Sequence, residues 1–191
     1  MLKDLITSKT RVKILLLFLD DPGSMYHVRE IVRRVSEEIN AVRRELILLE
    51  KKGILQREPR ANRVYYYLDK NYPFYFDLIR LHAKTNGLGA DIIRNRVKLG
   101  KIKYSMLSGK FVRNIRENEE GVDLLIVGTV VLPELTLIVK QEEGKRGKEI
   151  NYTVMTEEEF VFRKKRLDPF IISVVGGSRI MLIGDEESML G

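Results

Sequence analysis

The hydrophobic period of this chain changes at Gly53, and that change fixes the order of the elements around it. Before Gly53, apolar residues recur at helical spacing on one face: Ile39, Val42, Leu46 and Leu49. After it, residues 54–58 ("ILQRE") and 63–68 ("RVYYYL") have the period of strands, with residues 59–62 ("PRAN") as the turn. Because glycine just beyond the last helical turn ends a helix, the sequence predicts a helix that leads directly into an antiparallel hairpin.

Two further helices are predicted ahead of this one. Ser8 is placed to cap the first helix, and Pro22 with Gly23 to stop it. Residues 14–19 ("ILLLFL") are apolar on every side of that helix, so it should be buried inside a small domain. The second helix, within residues 26–35, has one apolar face formed by Val28, Ile31, Val32 and Val35.

The composition excludes several kinds of site. The chain has 191 residues and no cysteine, so it has no disulfides, thiolate metal sites or cysteine nucleophiles. Its two histidines, His27 and His82, are far apart in sequence, which disfavours a histidine metal site or catalytic triad. We expect His27 to cap the second helix or to face a phosphate, and His82 to lie on a surface or at an interface.

Three helices followed by a basic hairpin resemble the ArsR-type family of transcriptional regulators, over about residues 5–70. The segments that carry the resemblance are "TRVKILLLFL", "YHVREIVRRV", "NAVRRELILLEKKGIL" and "VYYYL". The resemblance implies a winged helix-turn-helix that binds double-stranded DNA. An α-helix fills the major groove of B-DNA, and residues in its N-terminal half can reach base edges.

The candidate DNA-binding residues lie on the third helix and around the hairpin turn. Arg43 or Arg44 could bind guanine in bidentate fashion, and Asn40 could pair with adenine. Three wing arginines would contact phosphates or the minor groove and add salt dependence: Arg57, Arg60 and Arg63. The alternative is that Arg43 and Arg44 form intrahelical ion pairs with Glu38, Glu45 or Glu50.

The charge distribution agrees with a DNA-binding front half. The net charge is +7, of which residues 1–70 contribute +5, residues 71–103 contribute +5 and residues 104–191 contribute −3. Basic character is therefore confined to the first half. A solvated basic surface without a nucleic-acid partner is the alternative.

Residues 71–87 are predicted to form a helical connector rich in aromatic residues. Phe74, Leu78 and Leu81 lie at helical spacing. In winged-helix regulators of this type such an extra helix commonly packs against its two-fold mate, so we expect a homodimerisation element. An intramolecular strut is the alternative.

Residues 88–191 alternate between helical and strand patterns, which predicts an α/β domain with a small mixed sheet. The predicted strands are "KIKYSML", "VDLLIVG", "KEINYTVM" and "RIMLIG". The predicted helices are residues 88–100 and the segments "SGKFVRNI", "VLPELTLIVKQEEG", "TEEEFVFRKK" and "DPFIISVV". Thr156 and Asp168 are placed to cap the last two helices.

This domain resembles the small nucleotidyltransferases of the DNA polymerase β superfamily, over about residues 88–186. The resemblance rests on "LSGKFVRN", "VDLLIVG", "EINYTVMTEEEF" and "DPFIISVV" with "GSRIMLIGDEE". It implies a Gly-Ser turn for nucleotide phosphates, two carboxylates at i and i+2 on the next strand for two metal ions, and a third carboxylate on a neighbouring strand.

The chain departs from that pattern at each step. The turn is Gly109-Lys110, the first of the paired acids is replaced by Gly121, and only Asp123 remains. The third strand offers Glu149 at most. A single acid is a poor site for two hard cations. We therefore predict a vestigial site at Gly109, Lys110, Asp123 and Glu149, with no catalytic residue and no metal.

Two alternatives stay open in this region. Glu119 and Glu120 could replace the missing acid if their loop were shifted. The basic residues Lys110, Arg113 and Arg116 could bind an anion, a nucleotide or DNA phosphate, or could be solvated and balanced by nearby glutamates.

Together these observations predict an α+β protein with a winged helix-turn-helix domain (1–70), a connector (71–87) and a nucleotidyltransferase-like domain (88–191). The expected function is sequence-specific transcriptional regulation, with an inactive second domain that serves as a sensor or oligomerisation platform for a nucleotide or protein effector. The alternative is an active nucleotidyltransferase that modifies a protein or RNA and uses Mg²⁺ and a nucleotide. No apolar run approaches the ~20 residues of a membrane span, so we expect a cytoplasmic protein.

Overall fold

The computed structural model describes residues 6–115 and 121–191, which form a mixed α+β structure with two sheets. Contacts divide the chain into two compact units, Met1–His82 and Ala83–Gly191. The predicted boundaries after residues 70 and 87 stay predictions. None of the described helices combines the length and the apolarity needed to cross a membrane.

The first unit contains the three predicted helices and the predicted hairpin. Its helices are α1 (Lys9–Asp20), α2 (Val28–Val35) and α3 (Ile39–Lys51). Its strands are β1 (Met25–His27), β2 (Leu55–Arg60) and β3 (Arg63–Leu68), in an antiparallel sheet with the order β1-β3-β2. The three-residue strand β1 was not predicted, because three residues are too few to establish a period.

The helix ends are fixed by the local residues that the sequence indicated. The Ser8 hydroxyl accepts a hydrogen bond from the Arg11 amide at the start of α1. His27 caps α2 through Nδ1, which accepts from the Glu30 amide. Gly53 follows α3 with φ of +73°, a left-handed conformation that glycine adopts without strain. The predictions for these three positions are confirmed.

Apolar residues from all three helices and from the hairpin form the core of the first unit. The largest of its fully buried side chains are Ile14, Phe18, Leu19, Ile31, Leu46, Leu49, Leu55 and Leu68. The ring of Phe18 packs against that of Tyr26, with centroids 5.5 Å apart. The third helix is thus held by its apolar stripe, and its opposite side is left to solvent.

The hairpin turn is shorter than predicted. The strands extend to Arg60 and from Arg63, so only Ala61 and Asn62 connect them, where residues 59–62 were expected. Ala61 has φ of +49°, as two-residue hairpin turns require. Pro59 lies inside β2, which an edge strand tolerates because one side of the strand needs no amide donor.

The connector forms helix α4 (Tyr75–Thr85). Tyr75 and Ile79 are buried, whereas Phe74 and Phe76 are 60% and 62% exposed. The expectation of a surface position for His82 is wrong: its side chain is buried, and its Nε2 lies 2.9 Å from Asp20 Oδ1.

The second unit is built on a four-stranded mixed sheet with the order β6-β5-β4-β7. Its strands are β4 (Gly100–Ser108), β5 (Leu124–Val130), β6 (Tyr152–Met155) and β7 (Arg179–Ile183). β5 and β6 are parallel, and β4 runs antiparallel to both β5 and β7. The prediction of a small mixed sheet is confirmed.

The described helices of the second unit mostly follow the predicted segments. They are α5 (Gly87–Arg94), α6 (Gly109–Val112), α7 (Leu132–Arg146), α8 (Glu157–Lys165), α9 (Pro169–Gly176) and α10 (Glu186–Leu190). Thr156 and Asp168 cap α8 and α9 as expected. Helix α5 ends at Arg94, before the predicted residue 100, and Val97 is therefore exposed. Helix α10 was not predicted.

Two strands begin later than predicted, and this moves two candidate site residues. β5 begins at Leu124, so Asp123 lies just before the strand. β6 begins at Tyr152, so Glu149 and Asn151 lie before it. Asp123, Glu149 and Asn151 are therefore not in a strand, and strand alternation does not set the direction of their side chains.

Glu45 ties α1 to α3 inside the first unit. Ser8 Oγ donates to its Oε1 at 2.5 Å, and Arg11 Nε donates to its Oε2 at 2.7 Å. Its side chain is only 16% exposed. Burial raises the pKa of Glu45, but the hydrogen bonds from Ser8 and Arg11 outweigh it and hold that pKa below its ordinary value.

We expect Glu45→Gln to lower the free energy of unfolding by about 1 kcal/mol at pH 7, because charge-assisted hydrogen bonds are lost. Since the pKa in the folded state is lowered, the carboxylate stabilises the fold above its unfolded pKa, and this stabilisation is lost as pH falls through the folded pKa. The difference between wild type and variant should therefore shrink below about pH 4. Urea unfolding followed by circular dichroism measures it.

Glu58→Gln is the matched control, because Glu58 pairs with Arg60 on the exposed hairpin and exposed pairs contribute little. Equal losses in the two variants, or a Glu45 effect that grows in acid, would contradict the role given to Glu45.

Candidate functional site

One face of α3 presents a row of exposed side chains to solvent. Val42, Leu46 and Leu49 are buried beneath the helix. Asn40, Arg43 and Arg44 are exposed on the other side, together with Ile47. Helix α3 thus has a buried apolar stripe on one side. Its exposed side carries the two guanidinium groups of Arg43 and Arg44 and the side-chain amide of Asn40.

The acidic residues that could neutralise Arg43 and Arg44 are engaged elsewhere. Glu38 caps α3, where its Oε2 accepts from the amides of Asn40 and Ala41. Glu45 holds Ser8 and Arg11, and Glu50 pairs with Arg57 at 2.9 Å. Within residues 6–115 and 121–191, neither Arg43 nor Arg44 has an ion-pair partner within 4 Å. The intrahelical ion pairs that were the alternative for Arg43 and Arg44 are therefore absent from the described residues.

Glu37, one of the two acids just before α3, is paired with a cation. Glu37 Oε1 lies 2.6 Å from the Lys13 ammonium, and Thr10 Oγ1 donates to Glu37 Oε2. The Lys13 hydrogen bond lowers the pKa of Glu37 below its ordinary value. A phosphate that approaches this end of the helix therefore meets the Lys13–Glu37 ion pair and the Glu38 carboxylate, whose Oε2 is bonded to the first amides of α3.

The three hairpin arginines differ in their surroundings. Arg57 pairs with Glu50, and Arg60 pairs with Glu58 at 2.6 Å while its guanidinium lies 6.0 Å from the Tyr65 ring. Arg63 is exposed and makes no ion pair with any residue that the structure describes. Arg63 is thus the hairpin arginine with its charge least compensated.

Two kinds of exposed residue beside the predicted ones were missed from the sequence. Ile47, one turn after Arg43, is 61% exposed, and helical spacing from Arg43 and Arg44 could have placed it on their face. Arg29 and Arg33 are exposed on α2, one turn apart. A charge count along α2 would have found them.

The glycine turn of the second unit is closed by its own neighbours. A Cβ at Gly109 would lie 2.2 Å from Ser178 Oγ, so only glycine fits there. The Gly109 amide donates to the Ser178 carbonyl at 2.6 Å, and Ser108 Oγ accepts from the Phe111 amide. The Gly109 amide is therefore already used inside the fold.

Arg113 braces this turn. Its Nε donates to the Gly109 carbonyl at 3.0 Å, and its guanidinium also donates to Ser178 Oγ at 3.1 Å. Lys110 is exposed beside it. Arg116, Glu119 and Glu120 lie outside the described residues.

Asp123 is held by the backbone of residue 151. The Asn151 amide donates to Asp123 Oδ2 at 3.0 Å, and the Asp123 amide donates to the Asn151 carbonyl at 2.7 Å. Burial raises the pKa of Asp123, with opposing effects from the Asn151 amide and from Arg146.

Glu149 is exposed and forms no hydrogen bond or ion pair with the described part of the chain. In residues 6–115 and 121–191, no group of three or more acidic or histidine side chains is arranged to hold a metal ion. Asp123 and Glu149, the two acids of the predicted vestigial site, therefore belong to no such group.

Comparisons with known proteins give little further information. No protein-family model and no curated protein matches the chain. Among solved structures, the reduced form of HlyU from Vibrio cholerae matches 42% of this chain and 83% of its own length, with 24% sequence identity and a TM-score of 0.33. A TM-score this low supports no argument about function, and the nucleotidyltransferase resemblance stays a prediction.

We expect Asp123→Asn to be at least as stable as wild type at pH 7, and Asp123→Ala to be less stable than Asp123→Asn by about 1 kcal/mol. The asparagine oxygen can still accept from the Asn151 amide, whereas alanine leaves that amide without an acceptor. Because the pKa of Asp123 is raised, its favourable contribution is present at low pH and lost as pH rises through the raised pKa. Any difference in stability between wild type and Asp123→Asn should therefore disappear at low pH.

Thermal unfolding from pH 3 to pH 8 measures these differences. A wild type that is clearly more stable than Asp123→Asn at neutral pH would contradict the raised pKa, since it would mean that the fold favours the ionised carboxylate.

Proposed function

We propose that this protein is a sequence-specific transcriptional regulator that binds double-stranded DNA, with α3 as its recognition helix and the β2–β3 hairpin as its wing. The observation that carries the proposal is that Arg43 and Arg44 are exposed and have no ion-pair partner among the described residues. Both are exposed on a helix whose other side is buried, and the nearby acids are engaged elsewhere. Two such cations are available for a polyanion.

The chemistry of this face suits the edges of bases in the major groove. An arginine can donate two hydrogen bonds to guanine O6 and N7, and an asparagine can pair with adenine N6 and N7. Arg43, Arg44 and Asn40 supply these groups from the N-terminal half of α3. Ile47 adds an apolar contact of the kind that suits the methyl group of thymine.

The hairpin would contribute affinity more than sequence information. Arg63 is exposed beside the turn and has no acidic partner among the described residues. Arg57 and Arg60 could exchange their glutamate partners for phosphate. Each phosphate contact releases counterions, so each adds to the salt dependence of binding.

We propose that the regulator binds as a homodimer through α4. Phe74 and Phe76 are both more than half exposed, and such large apolar side chains in one turn favour a protein partner over water. A two-fold dimer would present two α3 helices to the two halves of an inverted repeat.

For the second unit we propose a non-catalytic role as a sensor or oligomerisation platform. Two observations support it over the enzymatic alternative. The Gly109 amide, which a phosphate-binding turn would need, donates to Ser178, and the Asp123 carboxylate accepts from Asn151. A nucleotide or protein effector and a cytoplasmic location remain parts of this proposal.

Selection from random duplex DNA should enrich an inverted repeat, because a two-fold dimer reads the same half-site twice. Arg43→Ala with Arg44→Ala should weaken binding to the selected site by about 100-fold, since each bidentate base contact contributes about 1–3 kcal/mol. Fluorescence anisotropy over a range of salt concentrations measures both the affinity and its salt slope.

Arg94→Ala is the matched control, because Arg94 is an exposed arginine on α5 in the other unit. Unchanged affinity and salt slope in the double variant would show that α3 is not the recognition helix. Enrichment of a single half-site would contradict the dimer while leaving the recognition helix in place.

The non-catalytic role predicts no nucleotide transfer when the protein is incubated with Mg²⁺ and each labelled nucleoside triphosphate, together with candidate protein and RNA acceptors. Scintillation counting of acid-precipitated product detects any transfer. Turnover that Asp123→Asn abolishes would overturn the proposal and establish the enzymatic alternative, since asparagine keeps the fold but removes the charge.

A further inference from the structure

A cavity of about 460 Å³ opens on the surface of the second unit, away from the Gly109 turn. Its lining comes from β4, from α8 and from α10, with Val127 of β5 at its base. This volume lies within the range of pockets that bind small organic ligands.

The floor of the cavity is apolar and belongs to the core of the unit. Val127, Phe160 and Met189 are at most 2% exposed, and the Tyr104 ring lies beside Phe160 with centroids 6.0 Å apart. Because these side chains are packed into the core, the floor exists before any ligand arrives. Two apolar lining residues beside this floor, Val161 and Leu167, are 44% and 72% exposed and offer surface to an apolar or ring-shaped group.

The rim of the cavity is cationic. Three lysines and one glutamate line it: Lys103, Lys164, Lys165 and Glu157. Lys103 pairs with Glu157 at 2.8 Å, and Lys164 donates to the Met189 carbonyl at 2.9 Å. Lys165 is exposed and bonds to no described residue, so its charge is available to a ligand.

The side chains that line the cavity carry a net positive charge. Three of its four charged lining residues are lysines and one is a glutamate, a net charge of +2. A local cluster of one sign beside an apolar wall concentrates ions of the opposite sign. The cavity should therefore attract anions.

Two hydroxyl groups add directional contacts. Tyr104 Oη and Ser188 Oγ lie 3.2 Å apart, and both residues line the cavity. Ser188 Oγ also donates to the Asp185 carbonyl at 3.1 Å, so the hydroxyl that can turn to an acceptor atom of a ligand is that of Tyr104. The apolar floor, the Lys165 ammonium and the Tyr104 hydroxyl thus line the same cavity.

We infer that this cavity is a binding site for an organic anion with an apolar, ring-sized body and a single acidic group such as a carboxylate or sulfonate. The body lies against Val161 and Leu167 above this floor, and the acidic group meets Lys165. Lys164 also has no acidic partner among the described residues, but its ammonium is directed to the Met189 carbonyl, which leaves Lys165 to contact the acidic group. The inference goes beyond DNA binding and does not depend on it.

Titration of the full chain with 8-anilinonaphthalene-1-sulfonate, without DNA, tests the site by fluorescence. N-phenyl-1-naphthylamine is the matched probe, because it has the same rings without the sulfonate. The sulfonate should bind more tightly than the neutral probe. Lys165→Gln should lower the affinity for the sulfonate by about fivefold, as expected for loss of an exposed ion pair. It should leave the affinity for the neutral probe unchanged.

Lys140→Gln is the control for charge, since Lys140 is an exposed lysine on α7 outside the cavity. It should change neither affinity. Val161→Trp places a bulky ring at an exposed position of the lining. It should lower the affinity for both probes because it narrows the cavity. ¹H–¹⁵N correlation spectra locate the site, and shifts on sulfonate addition should concentrate at Val161, Lys165 and Ser188.

Equal effects of the two lysine variants on the sulfonate would overturn the ligand's charge assignment, as would a neutral probe that binds as tightly. Shifts centred elsewhere, or unchanged binding of both probes to Val161→Trp, would overturn the location. Failure of DNA binding leaves all these outcomes unaffected.

Discussion

The proposed DNA-binding surface depends on the carboxylate of Glu45. It accepts from Ser8 and Arg11, which ties α1 to α3 and fixes the rotation of α3 in its unit. Because Ser8 and Arg11 hold this carboxylate, it forms no ion pair with Arg43 or Arg44, the arginines immediately before it in sequence, although the charge of Arg44 also lowers its pKa. Glu38 caps α3 and Glu50 pairs with Arg57, so these acids are also held by contacts inside the fold. The exposed face of α3 therefore keeps the positive charges of its arginines.

Much of the fold was predictable because its signals are local. A cap such as Ser8 or Thr156 acts on an amide three residues away, and Gly53 acts through its own backbone. The apolar stripe of α3 and the alternation of β3 likewise repeat within a few residues. Each of these features can be recognised without knowledge of the rest of the chain.

The candidate sites were less predictable because they depend on distant partners. Asp123 falls outside β5 and bonds to Asn151, a residue 28 positions later, which no period reveals. Glu45 meets Arg11 across 34 positions, so the freedom of Arg43 and Arg44 was left open by the sequence. The organic-anion cavity needs α10, whose five residues are too few for a clear pattern.

Pro59 gives the hairpin a property unrelated to DNA. It sits in β2, the outer strand of the first sheet, where an unpaired strand could recruit the backbone of another molecule. Proline has no amide hydrogen to offer, and its charged neighbours Glu58 and Arg60 would be costly to bury in a sheet-to-sheet contact. The β2 edge is thereby a poor template for a strand of another molecule, so open-ended growth of the sheet on that side is disfavoured.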